Sequence, residues 1–380
     1  MTIRVAILQS ALPAYRVPVF GELASRDGLA TTLYYAEQPG LTNAEPVGFD
    51  AVPIRQRTLR VGRQQFYLIP HLWSLCDPAK TDVLVAGWNS RSILLSPALH
   101  RARRRGIGTV LWGHGFSKAE GSGRRGLRDR LALRADSVMF YNNTAADAFR
   151  ERHPGHAGVF VAINSLDQTE IQRARDDWLA RPADLAAFRA EHGLEQGRPV
   201  ALFVSRLLEE NRVDLLLQAA AKVEDLTVAV VGKGPDQPRL EHLASELGLA
   251  DRVRFPGAIY GEDEIAPWFL SSSVFVYPVN IGLSAMHALG YGLPVVTSDN
   301  IVGHNPEIEA VEHGVNSVLY ADGDVDAMAD AIREVAADEA KRSAMSEAAR
   351  RTVLERFNIP KMVDGMEAAI RHAADRAGKG

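Results

Sequence analysis

The chain of 380 residues lacks the features that mark several large protein classes. Cys76 is its only cysteine, which excludes a disulfide framework and a cysteine metal site and makes a reducing cytoplasm the default setting. No apolar run reaches the length of a membrane span. The start, Met1–Gln9, has the pattern of a strand rather than of a signal peptide. Low-complexity tracts and short-period repeats are missing, which sets disordered tails and solenoids aside. Gly232–Pro235 (GKGP) lacks the third glycine and the helix onset of a dinucleotide fingerprint. Asp322–Asp326 (DGDVD) has the look of an acidic metal loop, but Asp324 is better placed as the N-cap of a helix over Val325–Ala336. No metal is expected.

What is present is a soluble, globular composition: 46% hydrophobic and 24% charged, enough for two domains of ordinary size. The net charge is only −4, but it is unevenly spread. Met1–Ser165 carries 21 basic and 12 acidic residues, and the remainder carries 22 and 35. Such a division suits a first half that meets something anionic; two solvated surfaces of different drift are the plainer reading.

Apolar runs alternate with helical patterns along the whole chain. Strands are predicted over Arg4–Leu8, Leu29–Tyr35, Phe66–Ile69, Val83–Ala86, Thr109–Trp112, Ser137–Tyr141 and Val159–Ile163, with helices over Pro18–Arg26, Ser90–Arg105 and Thr144–Arg152. Leu166–Pro199 is polar and helix-prone, as a bridging segment would be. A second series begins at Val200–Val204 and runs through Val228–Val231, Val253–Phe255, Val274–Thr297 and Ser317–Leu319. Met362–Ala377 is one more amphipathic helix, which can cross back. The expectation is an α/β chain of two doubly wound Rossmann-like halves facing a central cleft.

Several stretches carry chemistry. Val274–Thr297 reads as strand, polar loop, helix and strand; Gly282 opens a turn, Ser284 is placed to cap the helix, and Gly292 with Pro294 ends it. Free N–H groups at such a helix start suit phosphate, although an ordinary βαβ unit has the same pattern. In Ser205–Asp214 (SRLLEENRVD), Arg206 and Arg212 follow a strand, where a diphosphate would sit. The GKGP turn would let a flat ring approach the backbone. His114, in LWGHGFSK, lies past a strand end between two glycines, which allow a ligand close approach. Arg101–Arg105 and Arg124–Arg134 hold most of the positive excess; Arg104, Arg105, Arg124 and Arg125 would line an acceptor site, face anionic lipid or merely solvate helices.

Together these positions resemble a GT-B glycosyltransferase of the large retaining family four (glycosyl transferases group 1), best from about Pro199 to Phe357. Val204–Leu216 is similar to its diphosphate loop, and Val230–Gly257 to its glycine turn and base-bordering strand (DRVRFPG). Pro278–Pro294 is similar to its donor loop and helix, and Pro306–Ser317 (PEIEAVEHGVNS) to the helix and loop next in that family's order. His114 falls at the family's first-domain histidine near the transferred sugar, and Asn164 at the asparagine of its interdomain turn. The resemblance implies an acceptor domain over 1–170, joined by the helix at about 362–380, and a donor domain over 190–361. It implies hexose transfer from a UDP- or GDP-linked sugar to a hydroxyl acceptor without metal or cofactor, with retention at the anomeric carbon. His114 and Arg206 would be catalytic. Arg206, Asn211, Arg212, Gly232, Gly234, Gly257, Asn280, Gly282, Leu283, Ser284 and His287 would bind the donor.

Three positions depart from the family pattern. Asn211 stands where the family has a lysine, with Arg212 beside it, and Val279 and His287 stand where it has a pair of glutamates. A neutral His287 still accepts one ribose O–H. The expected acceptor is a lipid-linked or saccharide intermediate of an envelope polymer, met in the cytoplasm or at the inner membrane face; no nucleic acid is expected. Three other readings stay open: a soluble natural-product transferase, a catalytically silent sugar-nucleotide-binding protein, and a sugar-nucleotide epimerase. The last needs acid/base carboxylates that the donor loop does not offer.

Overall fold

The computed structural model describes residues 2–36, 42–62, 64–115, 122–194 and 197–379, with only the backbone for 122–124. The chain divides into two compact units, one of 1–164 with 359–380 and one of 165–358. The boundary therefore falls at Asn164, a little before the expected end of the first domain.

The first unit begins with β1 (Ile3–Gln9), α1 (Val17–Ala24), β2 (Leu29–Ala36), β3 (Asp50–Ile54) and the hairpin of β4 (Arg57–Val61) with β5 (Gln64–Leu68). It continues through α2 (His71–Ser74), β6 (Val83–Gly87), α3 (Leu95–Arg104), β7 (Gly108–Gly113), α4 (Ser122–Ala132), β8 (Ser137–Phe140), α5 (Asn143–Arg152) and β9 (Val159–Val161). Seven strands form one parallel sheet in the order β3-β2-β1-β6-β7-β8-β9. Parallel strands covered on both faces read as continuous apolar runs, and β6 does so. Its side chains alternate between two cores: Leu84 and Ala86 pack with Leu99, Phe140 and Phe149, and Val83 and Val85 pack with Phe20, Met139 and Met362. The expected strand at Phe66–Ile69 belongs instead to the antiparallel hairpin, outside this sheet. Two strands are missing from the sequence reading: β4 of that hairpin, and β3, which is half exposed and interrupted by Pro53, an edge strand by both criteria.

The second unit opens with α6 (Gln168–Leu179) and α7 (Pro182–Glu191), so the stretch expected to bridge domains is a helix pair within this unit. Then come β10 (Val200–Val204), α8 (Val213–Ala220), β11 (Thr227–Val231), α9 (Gln237–Glu246), β12 (Val253–Gly257), α10 (Glu262–Leu270) and β13 (Val274–Val276). The unit ends with α11 (Ser284–Tyr291), β14 (Val295–Ser298), β15 (Ser317–Tyr320), α12 (Val325–Ala337) and α13 (Glu339–Glu355). Its six strands are parallel, ordered β12-β11-β10-β13-β14-β15. Asp324 caps α12 as expected, its carboxylate accepting from the Ala327 N–H at 3.0 Å. The last helix, α14 (Ile359–Arg376), returns to the first unit and starts three residues earlier than expected. It lies so close to the sheet that a Cβ on Gly365 would come within 1.9 Å of the Val161 carbonyl oxygen.

Candidate functional site

Each sheet has one topological switch point, where consecutive strands leave in opposite directions. In open parallel sheets the crevice at the carboxyl ends of such strands is where ligands bind. In the second unit it lies between β10 and β13, and the loops that leave those strands are Ser205–Arg212 and Tyr277–Leu283. Arg206, Asn211, Asn280, Gly282, Leu283 and Ser284 are thus gathered at one sheet edge, as the sequence reading requires.

Within that edge the roles separate. Arg206 is exposed, and among the described residues its guanidinium has no ion pair. Arg212 is held in the left-handed region at φ 52°, and its Nε donates to the buried Asp214 carboxylate at 3.1 Å. Its charge is already matched, so it is a weak substitute for the missing lysine. Asn211 is buried, donating from Nδ2 to the Arg206 carbonyl at 2.8 Å and accepting from Asn280 Nδ2 at 3.4 Å. It fixes the turn that presents Arg206.

One expectation about the donor loop changes. Asn280 takes the left-handed conformation there, at φ 64°, and the helix cap differs from the one expected. The N-cap of α11 is Leu283, with no side-chain cap, so Ser284 is the first helical residue and not the cap. The loop is instead braced by His304, which is buried. The Ile281 N–H donates to His304 Nδ1 at 3.0 Å, which leaves Nε2 as the protonated nitrogen, 2.9 Å from the Ser298 carbonyl. Asn305 Nδ2 donates to the Asn280 carbonyl at 3.0 Å. Tyr277 O–H reaches Ser205 Oγ at 3.1 Å and ties the two switch-point loops together.

The glycine turn also has an internal cause. A Cβ on Gly232 would lie 1.8 Å from the Ser205 carbonyl oxygen, and one on Gly234 2.0 Å from that of Leu207. These glycines let the β11 loop nest against the Arg206 loop. Gly257, at φ 89°, ends β12, and beyond it Tyr260 is 93% exposed.

His287 is not alone at its position. Its Nε2 is 2.8 Å from Glu262 Oε1, and the Tyr291 O–H donates to the same oxygen. Burial raises the Glu262 pKa, but the hydrogen bonds from His287 and Tyr291 outweigh it and hold this carboxyl below the usual range. Burial and then the Glu262 contact push the Tyr291 hydroxyl upward, so it stays protonated. An ionised carboxylate accepts from Nε2–H and leaves Nδ1 as an acceptor. The carboxylate absent at 287 in sequence thus stands beside it in space, from a different helix.

In the first unit the switch point lies between β1 and β6. A cavity of about 150 Å³ opens there, lined by Gln9, Ser10, Gln56, Tyr67, Asn89 and Ser92 among others. His114 follows β7 on the same carboxyl edge, exposed, its ring centre 4.6 Å from that of Tyr141. Arg104 and Arg105 do not join it. They end α3, whose C-terminus meets the opposite edge, where β7 begins, and Arg105 donates to the Cys76 carbonyl at 3.2 Å. Arg125 is exposed on α4, and the Arg124 side chain lies outside the described residues. Among the described residues no cluster of metal-ligating side chains occurs.

Comparison with known proteins bears on this geometry. Residues 185–352, which hold every residue expected to bind the donor, match the family Glycosyl transferases group 1. This stretch is a group 1 glycosyltransferase domain. The chain is 29% identical over 280 residues to a GDP-mannose-dependent α-(1-6)-phosphatidylinositol monomannoside mannosyltransferase of Mycolicibacterium smegmatis, covering 70% of the chain and 69% of that protein. It is 37% identical over 242 residues to a D-inositol 3-phosphate glycosyltransferase of Streptomyces avermitilis, covering 58% of the chain but only about half, 49%, of that relative. Among solved structures, Anabaena HepE in complex with UDP superimposes with a TM-score of 0.71 at 20% identity, over 96% of this chain and 98% of that one. The fold is therefore GT-B. Within the group 1 domain, sequence reasoning missed His304, Asn305 and Glu262. Their partners lie 23 to 25 residues away in sequence, a distance no local pattern reports.

Proposed function

We propose that the chain is a glycosyltransferase that moves a hexose from a UDP- or GDP-linked sugar to a hydroxyl acceptor in envelope polysaccharide or glycolipid assembly. The observation that carries this reading is Arg206, an exposed guanidinium without an ion pair among the described residues, at the switch point of the group 1 domain. Two facts support a nucleotide-sugar donor: one relative is named for GDP-mannose, and a neighbour of the same fold was solved with UDP.

Breaking the glycosidic bond to the diphosphate moves negative charge onto its oxygens. Arg206 and the backbone N–H groups at Gly282–Ser284 neutralise that charge without metal. His287, held by Glu262 in the Nε2–H form, offers Nδ1 to a ribose hydroxyl. His114 would meet the transferred sugar; the acceptor hydroxyl oxygen bonds to the anomeric carbon on the face the diphosphate leaves, with retention, and its proton passes to the departing diphosphate oxygen. The enzyme works in the cytoplasm, peripheral to the inner membrane face, where a lipid-linked acceptor is met.

Incubating the full chain with UDP- and GDP-sugars and following nucleotide release tests the reading. Release of UDP or GDP, lost in Arg206→Ala, supports it. Saturable nucleotide binding without release, even with mixed lipid or saccharide acceptors, favours the silent binding protein, which the lack of a carboxylate at positions 279 and 287 otherwise makes reasonable.

A further inference from the structure

Arg16 ends the turn after β1 and leads into α1, on the same carboxyl edge of the sheet as His114. The residue is only 8% exposed. Its guanidinium carbon lies 5.2 Å from the ring centre of Tyr15, 5.1 Å from Trp112 and 5.3 Å from Tyr141. Its hydrogen bond runs from Nη1 to the Met362 sulfur at 3.3 Å, a weak acceptor. Among the described residues no carboxylate pairs with it. Arg26, at the far end of α1, is by contrast matched by Glu22, Asp364 and Glu367. The Trp112 Nε1–H, beside Arg16, is buried and has no acceptor among the described residues.

A guanidinium withdrawn from water is costly unless an anion offsets the loss, and three ring faces offset only part of it. The rings also fix the planar fork, so little freedom is lost when an oxyanion docks. A tetrahedral oxyanion has acceptors in several directions and can serve donors on two side chains at once. Tyr141 touches both Arg16 and His114, so such an anion would sit one ring away from the histidine.

We propose that Arg16, framed by Tyr15, Trp112 and Tyr141, is the binding site for a phosphoryl group. The site stands on this unit alone; that the phosphoryl belongs to the sugar acceptor rests on the glycosyltransferase reading. Titration calorimetry with inorganic phosphate tests it, in the full chain carrying Arg206→Ala to remove the competing diphosphate contact. Saturable binding is expected, weakened at least about tenfold by Arg16→Met and less by Arg16→Lys, with sulfate competing and acetate competing poorly. No saturable binding, or an unchanged affinity in folded Arg16→Met, overturns the proposal. If Arg16→Met does not fold, Arg16→Lys decides it, and unchanged affinity there overturns it equally. A purely structural tie to Met362 would lower the melting temperature of Arg16→Lys while leaving phosphate affinity untouched, and that result too is against the proposal. UDP and GDP titrations of the chain without substitutions are kept separate. Their failure would end the donor reading and leave the phosphate result standing.

Discussion

The two switch points share a topology and are held by different chemistry. In the second unit the loops are locked by polar groups: His304 on Ile281, Asn305 on Asn280, Asn211 on the Arg206 carbonyl, and Tyr277 on Ser205. In the first unit the corresponding edge is held by rings, with Trp112 and Tyr141 in contact and Arg16 over both. Polar braces fix backbone positions, and fixed N–H groups are what a diphosphate needs. Aromatic walls fix the direction of a cation while leaving its charge unspent. On the proposed function, the first edge would orient one group of an acceptor, and the second would absorb the charge of a leaving group.

This division is broken most sharply through His114. If the first edge serves transfer alone, His114→Ala is expected to lower transfer by about 10²-fold with nucleotide affinity unchanged. A transfer rate equal to that of the unsubstituted chain would make the histidine a packing residue. A smaller effect is expected in the polar braces. Removing His304 strands the Ile281 N–H and the Ser298 carbonyl, so His304→Ala should cost about 2 kcal/mol of stability in thermal or urea unfolding. A loss within about 0.5 kcal/mol, the ordinary range for surface changes, would mean that the loop is held elsewhere.

Finer still is the carboxylate beside His287. Glu262→Gln should weaken nucleotide binding by roughly fivefold, because the amide no longer fixes the Nε2–H form. His287→Glu alone should be worse, since it sets two carboxylates together. The double variant Glu262→Gln with His287→Glu should recover much of the loss, and failure to recover separates Glu262 from the ribose. The smallest effect is on stability against pH. The Glu262 carboxyl is held below its unfolded value of 4.5, so its contribution is full above that value. It is lost as pH falls through the lowered pKa, and Glu262→Gln should remove that part of the acid decline.

Much of the fold was legible because parallel strands covered on both faces are apolar throughout and stand out against amphipathic helices. The strands expected at 83–86, 109–112, 200–204 and 228–231 occur where that pattern puts them. What escaped was the exposed edge: β3 and β4 have no buried face to enforce a pattern. In the site, loops following strands were readable, which placed Arg206 and Asn280 at one edge. Whether a charge was free was not readable, because that depends on a partner's direction. In sequence only the family resemblance sets Arg206 apart from Arg212; the turn at φ 52° that sends Arg212 back to Asp214 supplies the physical distinction. The basic run at Arg101–Arg105 left its alternatives open for a similar reason: composition shows a charge excess but not which end of a helix meets which edge of a sheet.

That distinction between two neighbouring arginines is the most direct handle on how the donor is held. Calorimetric titration of UDP and GDP into the unsubstituted chain, Arg206→Ala and Arg212→Ala compares them under one set of conditions. The expected result is that one of the two nucleotides binds, that Arg206→Ala weakens it at least about tenfold, and that Arg212→Ala changes it by less than about threefold. Binding that survives Arg206→Ala unchanged, or that falls with Arg212→Ala instead, would contradict the assignment of Arg206 to the diphosphate.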